Sequence, residues 1–160
     1  MKRYSVVALV CVMLIAVGSL ASARQTRIGI EAGNPSVVLI VRPAPFDFKV
    51  GYDFTGIATG GGSNFLHVSA DVRLIDSYRL IDFLHIFLSL GAYTQLTFAE
   101  STVQLGFGAR VPVGLQAFLL NGNIELFLEI VPTFDFYPSL KAFKQWQGFF
   151  GITLPLPKLR

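Results

Sequence analysis

Residues Val103–Phe136 read VQLGFGARVPVGLQAFLLNGNIELFLEIVPTFDF, and this stretch decides the fold. Apolar side chains occupy the odd positions of its first arm and the even positions of its second arm. A spacing of two is that of a β-strand, whose successive side chains point to opposite faces. The turn residues Asn121, Gly122 and Asn123 lie between the arms. We therefore predict two long strands joined as a β-hairpin.

The two faces of this hairpin differ in composition. One is continuously apolar, whereas the other carries glycine, glutamine and a few charges, without the Lys and Glu density of a water-facing surface. Each arm is long enough for the roughly 9 to 11 tilted residues with which a strand crosses a bilayer. The pattern is typical of a transmembrane barrel with its apolar face toward lipid. A soluble β-sandwich or lipocalin-like barrel with the apolar face inward stays open, since alternation alone does not say which face is outside.

The N-terminus has the pattern of a secretory signal peptide. Lys2 and Arg3 precede an apolar run at residues 6–17, and residues 21–23 form an A-x-A cleavage site. We predict a signal peptide over residues 1–23 and one barrel domain over residues 24–160. Cys11 is the single cysteine of the chain and lies inside the leader, so we expect no disulfide framework.

Composition excludes several classes of protein. Hydrophobic residues make up 52% of the chain and charged residues only 14%, which would be awkward for a secreted soluble domain. The leader holds two of the 13 basic residues, against 10 acidic ones, so we expect no nucleic-acid binding. No apolar run after the leader reaches the roughly 18 residues of a helical span.

The same alternation predicts the remaining strands. They are residues 27–33, 36–42, 46–55, 65–74, 83–98, the two arms of the hairpin, and 148–154. We expect a connection at residues 75–82 and outer loops at residues 33–35, 56–64, 99–102 and 138–147. Pro112 has no N–H for the ladder and predicts a bulge, and the two prolines of Leu154-Pro155-Leu156-Pro157 stop the last strand near Leu154.

Eight strands predict the fold class: an all-β, eight-stranded antiparallel transmembrane β-barrel, closed so that no strand edge is left open. Such a barrel is only just wide enough for its inward side chains. Charges placed there must pair, with Arg110 meeting Glu125 or Glu129 and Lys49 meeting a carboxylate such as Asp71. The predicted lumen charge network comprises Lys49, Asp71, Arg73, Arg110, Glu125 and Glu129. It is either a structural plug or a gate for a narrow water path.

A catalytic site has one weak candidate. His67 and Ser69 lie at i and i+2 on one strand, a spacing that resembles the small outer-membrane lipid A deacylases, which use a serine and a histidine. Those enzymes present the pair to lipid, whereas here both share the parity of Asp71 and Arg73 and should face the lumen. We expect no enzyme. Two histidines give no metal cluster, and we expect no metal and no cofactor.

With the strands placed, the chain resembles the small outer-membrane β-barrel proteins of diderm bacteria, of the OmpA-transmembrane-domain, OmpX and OmpW type. The matching segments are Ile28-Gly29-Ile30, residues 66–71, GFGARVPVGL at residues 106–115, and LFLEIVP at residues 126–132. The resemblance implies residence in the outer membrane, with lipid and the barrel-assembly machinery as partners and a monomeric state. A small or apolar solute is a further candidate partner.

The expected function follows from this placement. We expect an integral outer-membrane protein with a structural role or a narrow path for small solutes. A deacylase-like enzyme and a surface barrel that binds a host or envelope partner through its loops are the alternatives.

Overall fold

The computed structural model describes residues 25–33, 37–54, 63–99 and 102–157, without the side chains of residues 141–145. The predicted signal peptide at residues 1–23 and most of the predicted loop at 56–64 lie outside the described residues. The strands are β1 (Arg27–Gly33), β2 (Val37–Arg42), β3 (Phe46–Asp53), β4 (Asn64–Arg79), β5 (Leu84–Ala99), β6 (Thr102–Arg110), β7 (Val113–Leu119), β8 (Ile124–Tyr137) and β9 (Lys141–Pro155).

These strands close into one antiparallel barrel. The pairing order is β4, β3, β2, β1, β9, β8, β6 and β5, and β5 also pairs with β4, which completes the ring. β6 and β7 are two segments of one barrel strand, because both lie between β5 and β8. The barrel therefore has eight strands around its circumference, and the predicted fold class is confirmed as an eight-stranded antiparallel barrel.

The central hairpin forms as predicted, with one correction. Leu120, Asn121 and Gly122 all have positive φ and make the tight turn between β7 and β8. The bulge predicted at Pro112 is wrong: Gly91 pairs with Arg110 and Leu88 with Val113, so the register with β5 passes through unchanged. Because proline lacks only the N–H, the ladder is interrupted there without an extra residue. A register shift occurs instead between β6 and β8, beside Phe107.

Two predicted connections are too long. β4 runs on to Arg79, well into the predicted connection at residues 75–82. β9 begins at Lys141, so much of the predicted loop at residues 138–147 is strand. In both places the residues pair with a long neighbouring strand, β5 for β4 and β8 for β9. This backbone pairing extends a strand through sequence whose side-chain alternation is irregular. Register shifts in these same segments of β4 and β9 explain why their parity is hard to read.

The two ends of the barrel differ. The turn end carries the tight connections at residues 43–45, 80–83 and 120–123, and the loop end carries the connection at residues 138–140. At the turn end β4 extends past the start of β3. The backbone N–H of Arg73 donates to the Pro45 carbonyl at 2.8 Å, and among the described residues only β5 pairs with residues 74–79 beyond that point.

Burial is inverted relative to a water-soluble protein. Among the described residues, 17 buried side chains are polar or charged and only six are hydrophobic, whereas 30 large hydrophobic side chains are exposed. Buried and exposed positions alternate along the central part of β8, where Glu125, Phe127 and Glu129 are buried and Leu128 and Ile130 are half-exposed. The apolar face is therefore outside, which answers the question that alternation alone left open. Among the described residues, no helix has the length and hydropathy for a membrane span.

Candidate functional site

The six residues of the predicted lumen charge network all lie in the barrel interior, and each is at most 6% exposed. Strand parity places them there, because each occupies an inward position of its strand. They do not form one cluster. Together with five further charged residues they form two chains in which positive and negative side chains alternate.

The turn-end chain lies nearer the tight turns. Its members are, in order, Arg27, Glu125, Arg42, Asp47, Arg73 and Asp76. The Nε of Arg27 lies 2.9 Å from Glu125 Oε2, and Arg42 Nη1 contacts the other oxygen of the same carboxylate. Asp47 then joins two arginines, with Oδ1 2.7 Å from Arg42 Nε and Oδ2 3.1 Å from Arg73 Nε. Three cations and three carboxylates make this chain neutral.

The central chain lies in the middle of the barrel. Its members are, in order, Glu31, Lys49, Glu129, Arg110 and Asp71. Lys49 Nζ lies 3.2 Å from Glu31 Oε2 and also contacts Glu129 Oε1. β3 and β8 are four places apart in the ring of eight, so the pair of Lys49 and Glu129 spans the full width of the barrel. This chain has three carboxylates and two cations.

Arg110 occupies the branch point of the central chain. Its guanidinium lies 3.3 Å from Glu129 and 3.2 Å from Asp71, measured from Nη2 and Nε. Nη1 donates to Ser69 Oγ at 2.9 Å and lies 3.1 Å from His67 Nε2. Because arginine can only donate, Nε2 is the acceptor nitrogen and His67 carries its proton on Nδ1. His67 and Ser69 therefore face the interior, as predicted, and both are hydrogen-bonded to Arg110.

Apolar side chains separate the charged layers. Ile40, Phe87 and Phe127 form a buried cluster between the two chains, and Val38, Val131 and Phe149 form a second cluster on the loop-end side of the central chain. The guanidinium of Arg73 lies 4.4 Å from the ring centroid of Phe87, and that of Arg42 lies 5.0 Å from that of Phe127. These are cation–π distances. The rings of Phe87 and Phe127 place an apolar layer beside these arginines, and a low local dielectric strengthens their ion pairs.

Glycines make room for the interior rings and charges. A Cβ at Gly114 would lie 2.6 Å from Phe87 Cζ and would also overlap the Leu128 carbonyl. A Cβ at Gly91 would overlap Asp71 Oδ1. Only a residue without a side chain fits these positions, so glycine here serves packing.

A cavity opens at each end of the interior. The turn-end cavity has a volume of about 290 Å³ and is lined by both polar and apolar groups, including Arg42, Arg73, Gln116 and Phe118. The loop-end cavity has a volume of about 160 Å³ and includes Tyr93, whose hydroxyl donates to Asp135. The central chain lies between the two cavities, because on β8 its Glu129 falls between Glu125, which lines the turn-end cavity, and Asp135, which lines the loop-end cavity.

The predicted partners are partly wrong. Arg110 does meet Glu129, one of its two predicted partners, but Glu125 belongs to the other chain. Lys49 pairs with Glu31 and Glu129 instead of Asp71. The register explains this correction, because it places Lys49 opposite Ser69 across the β3–β4 ladder.

Sequence reasoning missed Arg27 and Arg42 as interior residues. The faces of the aliphatic run at residues 36–42 were not assigned from sequence. Arg42 shares its parity with Val38 and Ile40, so this single charge was the signal that marked the interior face of β2. Among the described residues, no group of three or more His, Cys, Asp or Glu side chains is placed to hold a metal ion.

No protein family and no curated protein matches this chain in sequence. Among solved structures, it is similar to the N-terminal β-barrel domain of OprF from Pseudomonas aeruginosa, with 11% identity and a TM-score of 0.48 over 82% of this chain and 96% of that one. It is also similar to Neisserial surface protein A (NspA), with 9% identity and a TM-score of 0.45 over 82% of this chain and 94% of that one.

Proposed function

We propose that this protein is an integral outer-membrane barrel whose lumen is a narrow path for small solutes, closed by the central chain in the conformation described. The observation that carries the proposal is the inverted burial. A barrel with an apolar outside and a charged inside is stable in a bilayer, because the strands of the closed ring pair their backbone groups with one another across the hydrocarbon region. In water, the exposed apolar area of this exterior would be larger than the apolar patches that soluble monomeric proteins ordinarily expose.

The arrangement of the interior supports a closed path. Two cavities reach inward from opposite ends, and the layer between them is the central chain with its flanking rings. The width-spanning contact of Lys49 with Glu129 blocks that layer. Arg110 has a second carboxylate, Asp71, within reach of the same guanidinium, so the pairs can exchange partners while every cation stays paired.

Location and closure are tested first. The mature chain should fractionate with the outer membrane and migrate faster on a gel in mild detergent when unheated, because a closed barrel resists unfolding. A chain that stays monomeric and folded in buffer without detergent would contradict the membrane proposal.

The path is tested by planar-bilayer recording. Arg110→Ala removes the largest side chain of the central layer, and we expect it to raise the frequency or size of conductance steps above those of the wild type. Arg79→Gln, which changes an exposed arginine at the turn end, is the matched control. If Arg110→Ala folds and neither this variant nor the wild type shows conductance steps, the path is excluded and the barrel has a structural role.

A further inference from the structure

The central chain carries a net negative charge. Its three carboxylates, Glu31, Asp71 and Glu129, share two cations, Lys49 and Arg110. The turn-end chain differs, because its three cations and three carboxylates balance. A buried charge without an opposite partner is costly. The layer that closes the lumen is therefore short of one positive charge.

Asp71 is the carboxylate of this chain with the weakest compensation. It is 2% exposed, and its cation is Arg110, whose Nε lies 3.2 Å from Oδ1. Neither of its oxygens has a hydrogen-bond partner among the described residues. Glu31, in contrast, accepts a hydrogen bond from Lys49, and Glu129 accepts from both Lys49 and Arg110. The uncompensated charge therefore lies nearest to Asp71.

The neighbours of Asp71 on the adjacent strands add no cation to this layer. Its ladder partners are Asp47 on β3 and Gly91 on β5. Asp47 is itself a carboxylate and is paired with the arginines of the turn-end chain. His67, on the same strand as Asp71, accepts a hydrogen bond from Arg110 at Nε2 and is therefore a neutral imidazole.

The loop-end cavity approaches this layer through a lining that suits a cation. The lining includes the carboxylate of Asp135 and the neutral polar side chains of Tyr93, Gln95 and Gln104. No lysine, arginine or histidine side chain lines it within the described part of the chain. A surface of one carboxylate and neutral dipoles raises the local concentration of cations over that of anions.

We propose, on the basis of the proposed function, that the path conducts small monovalent cations such as potassium and excludes anions, and that Asp71 sets this selectivity. Any solute that crosses the lumen must pass the central layer when that layer opens. A net negative charge in a narrow lumen of low dielectric attracts cations and repels anions. Because this field acts across the width of the lumen, the ion need not touch Asp71.

The charge of the permeating ion is measured by the reversal potential of the full barrel in a planar bilayer that separates two concentrations of potassium chloride. We expect wild-type steps to favour potassium over chloride by at least about tenfold, because one net charge acts in a narrow lumen. Asp71→Asn removes that charge at nearly constant side-chain size and should bring this ratio to about one. Asp82→Asn, at an exposed carboxylate of the turn end, is the matched control and should keep the wild-type ratio.

Gel migration in mild detergent shows that each variant is folded. Wild-type steps that favour chloride, or neither ion, would overturn the cation path and leave the proposed function standing. Equal ratios in Asp71→Asn and Asp82→Asn would overturn the role of Asp71. If the wild type shows no steps, both substitutions are compared in Arg110→Ala, where only Asp71→Asn should lower the ratio. An absence of steps in Arg110→Ala as well would reject the proposed function and the cation path together.

Discussion

Asp47 and Asp71 are direct partners across the ladder of β3 and β4, and both carboxylates are buried in the barrel interior. Two like charges in this position repel each other, so each depends on its own cations. Asp47 receives hydrogen bonds from Arg42 and Arg73. Asp71 contacts Arg110 at 3.2 Å, but neither of its oxygens has a hydrogen-bond partner among the described residues.

This difference predicts unequal costs for two matched substitutions. Asp47→Asn should lower the free energy of unfolding by about 3–5 kcal/mol, because it leaves two buried arginines short of a carboxylate. Asp71→Asn should cost clearly less, since the central chain has one carboxylate more than it has cations. Urea unfolding in detergent micelles measures both. Equal losses, or a larger loss for Asp71→Asn, would contradict the two-chain arrangement.

The central chain predicts that one substitution repairs another. Lys49→Met should lower the free energy of unfolding by about 3–5 kcal/mol, because Glu31 and Glu129 lose their shared cation. Adding Glu31→Gln returns the layer to its original net charge and should recover much of that loss. A double-mutant cycle on the same unfolding measurement gives the coupling. Additive losses would show that Lys49 and Glu31 do not interact.

Glycine packing gives a third prediction. Gly114→Ala should lower the free energy of unfolding by about 1–3 kcal/mol or more, because the new methyl group overlaps Phe87 and a backbone carbonyl. Gly148→Ala is the control, since a Cβ there meets nothing within 4 Å. The fraction of fast-migrating barrel on a gel compares the two. A Gly114→Ala barrel as stable as Gly148→Ala would mean that the Phe87 ring lies elsewhere.

The proposed bilayer contact gives a fourth prediction. Leu128 is 52% exposed on the outer face of β8, whereas Leu120 is 69% exposed at the tip of the turn between β7 and β8. Leu128→Arg should cost about 2–4 kcal/mol in a bilayer, and Leu120→Arg about 0–1, because the cost depends on depth. Unfolding from liposomes measures both values. A cost near zero at Leu128 would place that face in water.

Alternation of side chains predicted the faces of the strands well. Phe46, Phe48 and Val50 face outward and Asp47 and Lys49 inward, as their parity required. The direction of a side chain, inward or outward, is a local property, because the strand backbone at that residue determines it. The number of strands was predictable for the same reason, because each strand has its own alternation of apolar and polar residues.

Partner choice could not be predicted in this way. Lys49 reaches Glu129 across the lumen, and that contact depends on closure and on the relative stagger of strands far apart in sequence. The inward Phe127 and Val131 interrupt the polar face of β8, so the apolar layers were also missed. A sequence shows which residues face inward, but their height along the barrel axis comes only from the pairing register.

The overhang of β4 sets how deep the barrel can sit. Along residues 74–79 one backbone edge has no paired strand among the described residues, and acyl chains offer such an edge neither donor nor acceptor. If the loop end carries the outer loops, as the sequence predicts, this segment must therefore reach the headgroups or the periplasm. The exposed Leu80, Ile81 and Phe83 at its tip then meet the polar surface of the inner leaflet, and the hydrocarbon layer ends on the loop-end side of residue 74.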